Sequence, residues 1–514
     1  MIIAVGHDHA GHALRATVTS AVEAAGHVPL LVTADSSEPI DYPDVAEAVA
    51  EAIAGGRARR GILVCGSGAG VTVAANGYGV VRAALAHEEY TARQMVEHDD
   101  VNVLTLGARA IGPALAAAVV RSYLGAEFSG EPRHVRRLAK VLDQRRSRYQ
   151  NALGELRSAG QSVWLDSISR RLVAGGTLAR YISELSVTGI TSNPSILQHA
   201  IGTGTDYDDA IATMAEAGVV DPEAIVFALA IDDLVRAADL LLPVHHASAG
   251  VDGFVSIEVS PTLVDDAVGT VAAGLALFAR ADRPNVMIKV PGTTAGLRAV
   301  EELLLAGIPV NVTLLFSPEH YTAAAETYVR AMERRLAVGL TPSVPSVASV
   351  FVSRWDAAAD PLIPLAERGK LGVALMQESF ARYNDILDGP RYHRLAMAGA
   401  RPQRLLWAST GTKNPDLADT FYLGRLAAPR TVNTVPEQTL LAYADHGVTR
   451  DLLTPDHDEA RRCIGAVRAA GVDVEALAAA LQADGVAAFD RAWSELLASI
   501  QHKLETKGNP WTSE

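Results

Sequence analysis

The chain has 514 residues, 49% of them hydrophobic and 20% charged, with a net charge of −14. At roughly 150 residues per domain this length suggests two to four domains, each able to bury its own core. The acidic balance and the 5% aromatic content exclude a general nucleic-acid binder that neutralises phosphates or stacks bases.

The start, Met1-Ile-Ile-Ala-Val-Gly6, runs directly into a strand pattern with no basic leader or cleavage site, so secretion is not expected. Short apolar strands then alternate with Ala-rich amphipathic helices: a strand over 2–6, a helix over 10–25, a strand over 29–32, a helix over 42–54 and a strand over 61–65. This rhythm predicts a doubly wound parallel sheet of Rossmann-like α/β type, with its ligand beyond the carboxyl ends of the strands. Those ends carry His7-Asp8-His9 and Cys65-Gly-Ser-Gly-Ala-Gly70. Gly66, Gly68 and Gly70 leave backbone N–H groups open at a helix start, which makes an anion-binding nest without the Lys-Ser/Thr ending of a P-loop. Cys65 adjoins that helix start, where the dipole favours thiolate and a base could remove a proton α to a carbonyl; a small buried cysteine is the plainer alternative. Only one other cysteine, Cys463, is present. No disulfide framework or zinc spacing follows, and a cytoplasmic, reducing setting is expected. His7 and His9 alternate on a strand edge, but no third ligand follows, so no metal is expected.

Gly6-His-Asp-His-Ala-Gly11, Asp41-Tyr-Pro43, Cys65-Gly-Ser-Gly-Ala-Gly70, Ala74-Ala-Asn76, His98, Asn102-Val-Leu104, Gly107-Ala-Arg109 and Arg133-His-Val-Arg-Arg137 together resemble the type B ribose-5-phosphate isomerases over residues 1–148. The resemblance implies cofactor-free interconversion of ribose 5-phosphate and ribulose 5-phosphate through an enediolate. It makes Cys65 the base, has Ser67 and the 66–70 amides hold the enediolate, and gives ring opening to Asp8 and His98. His9, Arg109, Arg133 and Arg137 would form the phosphate pocket. Arg133 and Arg137 stand at i and i+4 and share a helical face, which suits a one-sided phosphate clamp. Residues 133–148 hold seven Lys or Arg, so several of them simply face solvent. The family builds each site from two subunits, which implies a homodimer or larger assembly through residues 1–148. Asp99 stands where the family commonly has Asn. One branch places a Glu in the helix after the nest, where this chain has Val71-Thr-Val-Ala-Ala75, leaving Cys65 as the base.

From 133 to 156 the sequence reads as nearly uninterrupted helix, with no Gly, Pro or Ser-rich tether. Strands then recur between helical stretches, over 162–166, 189–193, 253–258, 286–289, 309–313, 347–351, 405–409 and 431–435. Such a series predicts a (β/α)₈ barrel over residues 149–505 with inserted helices, followed by a polar tail over 506–514 that is expected to be disordered. Leu303-Leu-Leu-Ala-Gly307 before Pro309 reads as a helix stop. No apolar stretch reaches the length of a membrane span without interruption. Polar groups close successive apolar strands: Asp166, Asn193, Glu258, Lys289, Asn311, Thr313 and Ser349. Each alone has a structural explanation as a cap, a solvated group or a backbone partner. Together they set an amine and two carboxylates at one barrel mouth. Lys289 ends an apolar run, and an ammonium pressed into such surroundings loses hydration, which favours the free amine that attacks a carbonyl.

Trp164-Leu-Asp166, Gly189-Ile-Thr-Ser-Asn-Pro194, Ser256-Ile-Glu-Val-Ser260, Met287-Ile-Lys-Val-Pro-Gly-Thr293, Asn311-Val-Thr313 and Ser349-Val-Phe-Val-Ser-Arg354 resemble transaldolase over 150–505. The resemblance implies an imine between Lys289 and the C2 carbonyl of sedoheptulose 7-phosphate or fructose 6-phosphate. Asp166 would then take the C4 hydroxyl proton as C3–C4 breaks, and Glu258, through a water with Thr313, would shuttle protons. Asn193, Asn311 and Ser349 would hold the dihydroxyacetone unit, and Phe351 would wall the pocket. Arg354 is the natural phosphate anchor. After the seventh strand the family commonly has a second Arg, where this chain offers Lys413. The expected whole is a bifunctional enzyme of the non-oxidative pentose phosphate pathway acting on sugar phosphates without a cofactor. The alternatives are a fructose-6-phosphate aldolase activity of the barrel, or one half kept as a binding or assembly module.

Overall fold

The computed structural model describes residues 1–35, 38–54, 56–78, 80–146, 152–449 and 452–507. The chain divides into two compact units, Met1–Gly160 with Asp385–Pro402, and Gln161–Asn384 with Gln403–Glu514. The sequence placed one boundary at 148; here the second unit begins at the first barrel strand. The helix expected across 133–156 is seen as Pro132–Arg146 and Ala152–Ser158. Residues 147–151 between them, and the tail from 508, lie outside the described residues.

In the first unit β1 (Ile2–His7), β2 (Val28–Leu31), β3 (Arg60–Cys65), β4 (Ala83–Leu85) and β5 (Val103–Gly107) form a parallel sheet in the order β2-β1-β3-β5-β4. Helices cover it, and Ile3, Val5, Ile62, Val64, Leu104 and Leu106 supply one continuous core with Val18, Val22, Val96 and Val119 from the helices. Burial on both faces explains why these strands read as unbroken apolar runs. The turn after β1 comes so close to β3 that a Cβ on Gly11 would lie 2.2 Å from the Val64 carbonyl oxygen.

In the second unit β6 (Gln161–Asp166), β7 (Val187–Thr191), β8 (Phe254–Glu258), β9 (Val286–Pro291), β10 (Val310–Leu315), β11 (Ser346–Phe351), β12 (Arg404–Ala408) and β13 (Thr431–Val435) close into a parallel barrel, with β13 pairing back to β6. The expected eight strands are all present; β7 lies two residues earlier than the sequence suggested. Asn193 is therefore not on a strand. It caps the helix Pro194–Leu197, its Oδ1 accepting from the Ile196 N–H at 3.0 Å. The helix Thr294–Ala306 stops at Gly307, whose φ of +89° supplies the left-handed ending the sequence indicated.

The barrel floor is filled. Trp164 donates its indole N–H to Asp252 at 2.7 Å, and Arg404 donates to Ser162 at 2.6 Å and to the Thr431 carbonyl at 2.8 Å. A Cβ on Gly189 would meet the Trp164 indole at 2.6 Å, so only glycine leaves room for that ring. With the floor plugged, chemistry is confined to the opposite mouth. Among the described residues no helix is long and apolar enough to cross a membrane.

Candidate active sites

Lys289 is 4% exposed and Glu258 5%, because β8 and β9 are neighbours in register at this pair and their inward side chains meet inside the barrel. The ammonium donates to the Ser192 carbonyl at 2.9 Å and sits 3.2 Å from Glu258 Oε2. Burial pushes the Glu258 carboxyl up to about 7, although Lys289 pulls the other way. Asp166, at the end of β6, is also pushed up by burial and held back by Lys289 and by a 2.8 Å hydrogen bond from Thr191. Two carboxyls therefore flank one amine, both biased toward accepting a proton.

A cavity of 220 Å³ opens at the carboxyl ends of the strands. Asp166, Asn193, Lys289, Thr313, Ser349, Phe351, Arg354 and Lys413 all line it, so eight of the expected barrel residues share one space. Glu258 and Asn311 are not on its wall. Asn311 is fully buried, accepting from Ser349 at 2.7 Å and donating to Ser256 at 3.1 Å, and so orients Ser349 from below. Thr313 Oγ1 and Glu258 Oε1 are buried without a hydrogen-bond partner.

The cation end is equally specific. Arg354 lies over the Phe351 ring at 5.4 Å. Burial and the nearby Arg354 charge pull the Lys413 ammonium down from its ordinary value. Two cations thus face one small cavity and repel each other.

Several lining groups had escaped the sequence reading. Thr191 bridges Asp166 and Thr434, the latter at 2.7 Å. Both hydroxyls stand at strand ends of the kind already used for Thr313, which was the available signal. Phe489 reaches the cavity from the C-terminal helix, and nothing local in the sequence marks it.

In the first unit Cys65 ends β3, 5% exposed, and its Sγ accepts from the Gly68 N–H at 3.1 Å. The nest amide thus points at the sulfur. Gly68 has φ +83°, and a Cβ there would lie 2.3 Å from Leu85 and 3.0 Å from the β5 backbone, so a side chain cannot occupy the turn. Ser67 Oγ turns back to accept from the Ala69 N–H at 3.4 Å. Asp8, 6% exposed, is fixed by the Gly11 N–H at 2.8 Å. Arg109 joins the loop through its backbone, donating to the Gly66 carbonyl at 2.9 Å, with its side chain beside Gly66. Asp8, the nest and Arg109 are therefore gathered at the ends of β1, β3 and β5. Gly70 packs against Tyr42, whose ring atoms lie 3.2 Å from where its Cβ would be. His9 contacts the Ile40 carbonyl at 3.4 Å.

The remaining basic groups form a second cluster. His98 stacks on His134 at 3.9 Å, and Ser129 fixes His134 at 2.6 Å. Arg133 pairs with Glu131 at 2.8 Å, and both Arg133 and Arg137 are exposed. Among the described residues no hydrogen bond or ion pair joins His98, Arg133 or Arg137 to the Cys65 loop. Asp99 is exposed.

Fold and sites together define a two-part α/β enzyme: a parallel-sheet unit with a thiol at a glycine nest, then a (β/α)₈ barrel with a buried lysine at its mouth. Residues 163–500 match the family Transaldolase/Fructose-6-phosphate aldolase, and residues 3–141 match the family Ribose/Galactose Isomerase. A transaldolase from Parafrankia is 45% identical over 361 residues, covering 68% of this chain and 98% of the relative. Transaldolase 1 of Streptomyces coelicolor is 44% identical over 366 residues, covering 70% and 96%. The solved structure of Trypanosoma brucei type B ribose 5-phosphate isomerase is 42% identical, covering 27% of this chain and 95% of that chain with a TM-score of 0.27. The chain belongs to the Transaldolase/Fructose-6-phosphate aldolase family and carries a Ribose/Galactose Isomerase domain ahead of the barrel. It is a bifunctional enzyme, transferase and isomerase.

Proposed function

We propose that the barrel transfers dihydroxyacetone between sugar phosphates through an imine on Lys289, and that the first unit interconverts ribose 5-phosphate and ribulose 5-phosphate with Cys65 as base. The observation that carries the first part is the buried Lys289–Glu258 pair at 3.2 Å with Asp166 on the same cavity. Glu258, as carboxylate, takes a proton from the ammonium, and the free amine attacks C2 of sedoheptulose 7-phosphate or fructose 6-phosphate. As a carboxylic acid it returns the proton to the departing hydroxyl. Asp166 accepts the C4 hydroxyl proton while C3–C4 breaks, releasing erythrose 4-phosphate or glyceraldehyde 3-phosphate respectively. Ser349 and Asn193 hold the three-carbon unit until the acceptor aldehyde arrives, and Arg354 with Lys413 holds first the donor's phosphate and then the acceptor's.

The sign of the pH dependence follows from the raised Glu258 carboxyl, which ionises at about 7. Below that value it is protonated and accepts nothing, so kcat/KM for transfer is expected to fall roughly tenfold per unit of pH. Glu258→Gln is expected to remove this limb and to lower kcat by roughly 10²-fold. A pH–rate profile of the variant that keeps the same limb would assign the ionisation elsewhere.

In the first unit, Cys65 Sγ removes the C2 proton of the open-chain aldose and returns it to C1. The developing enediolate oxygen is met by the amides of the 66–70 nest. Asp8 and His98 serve ring opening, and His9, Arg109, Arg133 and Arg137 take the phosphate. Arg133 and Arg137 are exposed, and among the described residues no hydrogen bond or ion pair ties them to the nest, which supports a site completed by a second copy. Sedimentation velocity of the full chain is expected to give a dimer or larger; a monomer with full isomerase activity would contradict it.

A further inference from the structure

The helix Val474–Lys507 runs 34 residues and is fastened at both ends over the barrel mouth. Near its start, Gln482 donates to the Leu314 carbonyl at 2.9 Å, near the end of β10, and to the Gly292 carbonyl at 3.3 Å, just past β9. One turn on, a Cβ at Gly485 would lie 2.9 Å from Leu314 and 3.4 Å from the Arg354 guanidinium, so the helix is seated directly beside the phosphate anchor. Near its end, Lys503 donates to the Gly204 carbonyl at 2.6 Å and to Asp208 at 2.9 Å. Between these fastenings Phe489 is 5% exposed, lines the cavity, and places its ring centroid 5.7 Å from Lys289 Nζ.

We propose that Phe489 is a specificity-determining residue, whose ring shields the nitrogen of Lys289 and so sets how often the bound dihydroxyacetone passes to an acceptor aldehyde rather than being lost to water. The inference rests on the imine reading above. After C3–C4 cleavage the enamine has two fates. In transfer, C3 bonds to the carbonyl carbon of the acceptor, and the acceptor oxygen takes a proton. In loss, C3 takes a proton, water adds to C2 of the iminium, the C–N bond breaks, and free dihydroxyacetone leaves with the water oxygen as its carbonyl. Releasing the product ketose also consumes one water, so the ring acts on the ratio of the two fates. An apolar ring over the nitrogen excludes chance water, and its face favours the iminium charge.

The test uses the full chain with fructose 6-phosphate, with and without erythrose 4-phosphate, measuring free dihydroxyacetone against sedoheptulose 7-phosphate. Phe489→Ala is expected to raise the loss-to-transfer ratio about tenfold by admitting water. Phe489→Leu keeps apolar bulk and is expected to change the ratio by about twofold or less, while Gln482→Ala, which unfastens the helix, is expected to fall between. A simple loss of packing would lower both fates together and leave their ratio alone. If the ratio stays within about twofold of wild type in Phe489→Ala and Gln482→Ala while borohydride still traps a substrate adduct, this inference is overturned and the imine reading stands. Should Phe489→Ala fail to fold, Gln482→Ala decides by the same criterion. No trapped adduct in the wild type overturns both.

Discussion

Lys289→Met is expected to lower dihydroxyacetone transfer by roughly 10⁴-fold or more, since no other group in the cavity can form the covalent intermediate in its place. Lys413 lines the same space, but it stands with Arg354 at the cation end, away from the carboxyl pair. Methionine keeps the apolar stem and the packing of β9. It leaves Glu258 buried without its cation, and the carboxyl, already pushed up to about 7, then stays protonated at neutral pH, so the barrel is expected to fold. Isomerase activity of the same variant is expected to be unchanged, because the first unit has its own sheet and core. Parallel coupled assays of the two reactions check this; a shared loss would mean that the halves do not work independently.

Cys65→Ala is expected to do the reverse, lowering isomerisation by roughly 10³- to 10⁴-fold while transfer continues. The substitution removes one acceptor for the Gly68 amide and leaves the turn intact, since its shape is set by Gly68 and the backbone of β5. Cys65→Ser separates two roles for the sulfur. A hydroxyl still accepts the Gly68 hydrogen bond but is a far weaker acid than a thiol, so activity is expected to stay as low as in the alanine variant. Recovery to near wild-type rate in the serine variant would show that the thiol is a spacer and that another group moves the proton.

Both folds were legible because parallel strands buried on two faces read as short continuous apolar runs. β4 and β5 were not named as strands in the sequence and β7 was misplaced, and for β4 and β7 the reason is physical. β4 has only three residues, all half-buried, which leaves no run to detect. β7 was placed late because Gly189-Ile-Thr-Ser-Asn193 looks like a strand ending in a polar group, whereas the Asn193 side chain turns back as a helix cap and the chain leaves the barrel at Thr191. The residues that gather at the barrel mouth were legible because Asp166, Lys289, Thr313 and Ser349 lie on apolar strands, where inward direction follows from alternation. What lies above the mouth was not. Phe489 meets Lys289 across two hundred residues of chain, and an aromatic on a long Ala-rich helix carries no local sign of the group it covers. Likewise His98 is drawn to His134 by packing between two helices, a pairing that spacing does not reveal.

The most direct measurement is borohydride reduction of the full chain with fructose 6-phosphate present, followed by peptide mapping. The expected result is a single substrate-dependent secondary amine on the peptide holding Lys289, absent from Lys289→Met and still formed by Cys65→Ala. Modification at Lys413 or another lysine instead, or turnover with no trapped adduct at all, would contradict the assignment of this buried amine as the group that carries the three-carbon unit.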